Sequence, residues 1–127
     1  MLKRIFLAMG LVISLTGPVW AEAPVGDWQA VGHNAGDQRE YRGNVSVVKS
    51  GDTYTVLWRF GATTYIGTGL ELGTHFAVTF KPTETPIVGL LLLQKQGDHW
   101  TGKWTQMGAK TAGGETWRKF GLNTPDK

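Results

Sequence analysis

The chain has 127 residues, with 13 basic and 10 acidic side chains, a formal net charge of +3, 18 glycines and no cysteine. The lack of cysteine excludes a disulfide framework and a lipid-modified N-terminal cysteine, so the fold must stand on packing and strand pairing. Two of the basic residues, Lys3 and Arg4, belong to an N-terminal leader; without them 11 basic residues face 10 acidic ones, and the charge argument for a nucleic-acid partner disappears.

The leader is read from its order of parts. Lys3 and Arg4 precede an apolar run from Ile5 to Leu15, then Gly17-Pro18, then the small residue Ala21 with Val19 two positions before it. This order predicts a signal peptide over residues 1–21 and a mature domain over 22–127 that is periplasmic or secreted. The apolar run of about 11 residues falls short of the roughly 20 that span a bilayer as a helix, so no stable membrane insertion is expected after cleavage. The mature length suits one modest core.

Beyond the leader, glycine and β-formers replace any 3.6-residue apolar period, and helix is not expected. In the stretch Thr53 to Phe60, Tyr54, Val56, Trp58 and Phe60 fall on one face, the period of two that marks a strand with one buried side. The same reading predicts strands near 25–31, 40–49, 53–60, 63–70, 75–81, 88–95, 99–106 and 115–120. Two of the resulting hairpins repeat each other. Gly43, Lys49, Gly51, Asp52, Thr55 and Trp58 recur 46 residues later as Gly89, Lys95, Gly97, Asp98, Thr101 and Trp104. Each copy carries a Gly-Asp pair between alternating runs, where a tight turn requires positive φ.

Eight short strands with tight links predict an all-β, antiparallel up-and-down meander, closed into a barrel so that no strand edge is left unpaired. Strands of about eight residues are shorter than the 9–11 of a transmembrane barrel, which disfavours that alternative. In such a meander the connections at 50–52, 71–74 and 96–98 close one end tightly. Those at 32–39, 61–62, 82–87 and 107–114 form a loop-bearing mouth, where ligands enter small barrels.

Gly26-Asp27-Trp28 opens the first strand, and Arg118 and Lys119 lie in the last. In this the chain resembles the calycin superfamily of lipocalins, avidins and small bacterial metalloprotease inhibitors. The resemblance implies that Trp28 plugs the closed end and that Arg118 stacks on its indole. The Gly-Asp-x-Tyr-x-Val-x-Trp pattern at Gly51 to Trp58 also resembles small exported bacterial proteins, a likeness that implies no activity.

No catalytic constellation is visible. His33, His75 and His99 are scattered without metal-ligand spacing, so no metal or other cofactor is expected. There is no nucleophile elbow or phosphate loop, and Asp37 and Glu40 read as solvated loop charges; the chain is not expected to be an enzyme. The concentrated signal is aromatic. Tyr41, Trp58, Phe60, Tyr65 and Trp104 all fall near the mouth with inward phase and form a candidate wall for a small apolar or aromatic ligand. His33, Lys81 and Lys110 are the candidate polar rim. A filled core is the competing arrangement, with Gly67, Gly69, Gly89 and Gly102 flattened to receive the rings, and Trp117 is assigned to structure. The alternative function is a protein-interaction or protease-inhibitor module, acting on an exported partner through the loops or the mature N-terminus, Glu22-Ala23-Pro24-Val25.

Overall fold

A computed structural model describes residues 23–120; the signal peptide read at 1–21, its cleavage site and Glu22 lie outside them. The strands are β1 (Gly26–His33), β2 (Glu40–Ser50), β3 (Thr53–Phe60), β4 (Thr63–Leu72), β5 (His75–Pro82), β6 (Gly89–Gln96), β7 (His99–Gln106) and β8 (Gly113–Lys119). Each pairs antiparallel with its sequence neighbour, and β1 pairs with β8 to close the barrel. The alternating pattern therefore does what it predicts: one face of every strand lines the interior, and no helix occurs among the described residues. Boundaries agree to within two residues; β8, for example, starts at Gly113 rather than at 115 because two glycines without a side-chain signal still pair with Lys103 and Trp104.

The two repeated hairpins, β2–β3 and β6–β7, lie on opposite sides of the barrel and turn at Gly51 (φ 67°) and Gly97 (φ 64°). Their equivalence extends to side chains. Lys49 lies over the Tyr54 ring at 5.1 Å and Lys95 over the Trp100 ring at 5.3 Å, each pair directly opposite across its hairpin. Duplication in sequence is thus duplication of a turn with its cation–π clasp, and both clasps sit at the tight end.

That end is solid. Tyr54, Phe76, Trp100 and Trp117 interlock edge to face at centroid distances of 5.4 to 6.3 Å, above Trp28. Such pairs add about 0.5–1.5 kcal/mol each beyond the burial of their area. The cation over the Trp28 indole is Lys119, at 5.1 Å, and not Arg118. Strand parity decides this: Trp117 faces inward, so Arg118 faces outward and Lys119 returns to the face of Trp28, its cross-strand partner. The N-terminal segment completes the plug. Pro24 is fully buried, Ala23 packs on the core, and the Pro24 carbonyl accepts a 2.9 Å hydrogen bond from Trp28 Nε1. Ala23 and Pro24 are therefore packed against the barrel base rather than free, whereas Val25 is exposed; the packing bears only on the N-terminal form of the protein-interaction alternative and not on its loop form.

Candidate functional site

At the opposite end the aromatic side chains form a belt. Tyr41, Phe60, Tyr65, Phe80 and Trp104 make a closed circuit of edge-to-face contacts, with successive centroid separations of 5.1, 5.9, 6.0, 6.0 and 6.4 Å. Beneath it Trp58 touches Phe80 at 6.0 Å and Trp117 at 6.2 Å, joining the belt to the solid base.

An eight-stranded barrel is barely wide enough for its own side chains, so rings at one level need neighbours without them. The cross-strand partners of Tyr41, Phe80 and Trp104 are Gly32, Gly89 and Gly113, and a Cβ at any of the three would strike the facing ring; Gly43 receives Phe60 in the same way. Gly69 similarly receives Phe76 near the base. Gly67 and Gly102 act differently from the ring-receiving role expected of them. A Cβ there would meet the backbone oxygens of Thr79 and Leu92, so these glycines allow close approach of adjacent strands.

The floor of the mouth carries a buried carboxylate. Glu115 on β8 is 7% exposed, with Oε1 accepting from the Tyr41 hydroxyl at 2.5 Å and Oε2 accepting from Trp117 Nε1 at 2.7 Å and Trp58 Nε1 at 3.0 Å. Burial pushes its carboxyl above the ordinary carboxylate range, against the opposing pull of these three donors. Burial, followed by the neighbouring Glu115 charge, pushes the Tyr41 hydroxyl far above its ordinary range, so it remains a donor. Gly32 is what permits the contact, because a side chain there would occupy the space of the Tyr41 hydroxyl.

Belt and floor enclose a cavity of about 210 Å³ lined by Asn34, Tyr41, Trp58, Phe60, Thr63, Tyr65, Phe80, Leu91, Trp104, Gln106 and Glu115. The five aromatic residues singled out in the sequence thus share one cavity. The three rim candidates do not line it. His33 and Lys81 follow inward-facing Gly32 and Phe80 and so face outward; Lys81 Nζ donates to the carbonyls of Pro82 and Thr85, tying down the β5–β6 loop. Lys110 is exposed on the β7–β8 loop. The polar contributions come instead from Asn34, Thr63, Gln106 and above all Glu115. Sequence reasoning missed Glu115 and Phe80. The available signal was phase: Glu115 stands two residues before inward-facing Trp117, and Phe80 two after Val78. Among the described residues no cluster of three or more His, Cys, Asp or Glu could hold a metal ion.

No protein-family model and no curated protein matches the chain. Among solved structures the fold is similar to a designed protein, described as a de novo fluorescence-activating beta barrel, with a TM-score of 0.56 and 14% identity over 75% of this chain and 93% of that one. At that identity the likeness establishes architecture: a small, closed, eight-stranded antiparallel barrel, which agrees with the calycin resemblance at the level of the barrel.

Proposed function

We propose that the barrel is a binding module that holds a small apolar or aromatic ligand in its mouth. The carrying observation is the cavity of about 210 Å³ walled by the aromatic belt. Drug-sized ligands occupy roughly 300–1,000 Å³, whereas an apolar cavity of about 150 Å³ accepts benzene, so the size fits a molecule of one or two rings. The designed barrel's description as fluorescence-activating supports the reading at the level of architecture alone. The proposal assigns binding and not catalysis, because Glu115, the one buried carboxylate among the described residues, is held by three donors and has beside it no second acid or base of those residues except a tyrosine hydroxyl. Export, read from residues 1–21, belongs to the same proposal and places the ligand outside the cytoplasm.

The test is titration with tert-butylbenzene, followed by tryptophan fluorescence, since Trp58 and Trp104 both line the cavity. A saturable change is expected. The Phe60→Leu, Trp104→Leu double variant should bind about tenfold more weakly, a loss of about 1.4 kcal/mol. Absence of saturation, or saturation unchanged in the double variant, overturns the assignment.

A further inference from the structure

We infer that the mouth selects small organic cations of the alkylated or aryl ammonium type, with the aromatic faces as the cage and Glu115 as the counter-charge. The inference rests on the binding reading above and names the ligand class for the same cavity.

Three observations carry it. The first is the lining itself: six aromatic rings and a carboxylate surround the space, and no lysine, arginine or histidine is among its lining residues. Aromatic faces present negative potential to a cation, and a desolvated cage strengthens that attraction.

The second is that Glu115 is buried with no cationic side chain among the described residues bonded to it. Its three donors are neutral groups, the Tyr41 hydroxyl and the Trp58 and Trp117 indoles. Buried charges in proteins are ordinarily paired or bound to an ion. A carboxylate has about four lone-pair sites, so three donors leave one, and it lies on Oε1, which among the described side chains accepts from Tyr41 alone. Two indoles and a phenol together need more acceptor capacity than the single carbonyl oxygen of an amide offers, which a carboxylate supplies, and the ionised carboxylate places a negative charge at the cavity wall.

The third is that basic side chains next to the mouth are directed elsewhere. Lys81 bonds to loop carbonyls, and Arg59 faces outward between inward-facing Trp58 and Phe60. Among the described residues no basic side chain lines the cavity to compete with a ligand cation for Glu115.

The test compares two probes of nearly equal shape, phenyltrimethylammonium and its neutral isostere tert-butylbenzene, by calorimetry or tryptophan fluorescence. The cation should bind at least about tenfold more tightly to the natural protein, and the ratio of the two affinities should collapse towards one in Glu115→Gln, with near-ultraviolet circular dichroism reporting that the variant has folded. Trp104→Leu supplies a second variant that removes a π face at a partly buried position without altering the carboxylate, and should lower the same ratio severalfold. Equal binding of the two probes, or preference for the neutral one, overturns the cation inference and leaves the binding module standing. A ratio unchanged in the folded Glu115→Gln protein, or unchanged in Trp104→Leu where Glu115→Gln does not fold, also overturns it. If neither probe saturates, the binding reading fails with it.

Discussion

The indole N–H of Trp58 on β3 donates to Glu115 Oε2 on β8 at 3.0 Å, linking residues 57 positions apart across the barrel interior. The same oxygen accepts from Trp117 and its partner oxygen from Tyr41, so one carboxylate satisfies three buried or half-buried donors from three strands. Removing it orphans both indoles and leaves the Tyr41 hydroxyl only its longer 3.4 Å bond to the Gly114 carbonyl. Glu115→Ala is expected to destabilise the fold by about 3–5 kcal/mol, since each buried unsatisfied group costs about 1–3 kcal/mol. Glu115→Gln retains one acceptor oxygen and should cost about 1–2 kcal/mol. Urea denaturation monitored at the tryptophans measures both, and a Glu115→Ala protein as stable as the natural one would show that the network contributes nothing net.

Glu115 also fixes the sign of a pH dependence. Its folded carboxyl is raised above the ordinary value of 4.5, chiefly by burial. Between that value and the raised one the folded state holds more protons than the unfolded state, so unfolding free energy falls as pH rises through the window. The contribution is full below 4.5 and is lost above the folded value. Denaturation midpoints measured across mildly acidic pH should therefore show a downward component that is absent in Glu115→Gln. Identical pH profiles for the two proteins would place the folded carboxyl at its ordinary value.

The parts of the site that were legible in the sequence share one cause. Tyr41, Trp58, Phe60, Tyr65 and Trp104 are large, alternate with outward-facing residues and lie at the strand ends that point to the loop-bearing mouth, so period and chain order suffice to bring them together. The β2–β3 and β6–β7 hairpins were legible because the Gly51-Asp52 and Gly97-Asp98 turns repeat with their flanking strands. Glu115 was not, since a single acidic residue in a polar stretch reads as solvated until Trp117 is known to face inward. Closure of the belt was hidden for a further reason. Phe80 and Trp104 meet across β6, where Gly89 leaves the space, and contact between non-neighbouring strands depends on a register that local pattern does not encode. The exchange of Arg118 for Lys119 was a one-residue parity error, and in a strand one residue is the difference between the two faces.

That parity gives a direct comparison at the base. Lys119→Met removes the cation 5.1 Å from the Trp28 ring centroid and is expected to cost about 0.5–1 kcal/mol, whereas Arg118→Met, on the outward face, should stay within about 0.5 kcal/mol of the natural protein. Equilibrium denaturation of the two single variants decides the matter. The opposite ranking would return the plug to Arg118.

The glycines of the mouth are as necessary as its rings, and Gly89 shows why. It stands directly opposite Phe80 on the adjacent strand, and a methyl group placed on it would enter the space of the Phe80 ring. The ring has little room to yield, because Tyr65, Trp58 and Trp104 contact it at 6.0 Å each. Gly89→Ala is therefore expected to cost about 1–3 kcal/mol through overpacking and to disturb the cavity wall. Phe80→Leu removes the ring edge that the methyl would strike, so the Gly89→Ala, Phe80→Leu double variant should be less destabilised than the sum of the singles, with a coupling of about 0.5–3 kcal/mol. A double-mutant cycle by urea denaturation reads this directly. Strict additivity would mean that the alanine is accommodated by the backbone and that the absence of a side chain at Gly89 is not what makes room for the belt.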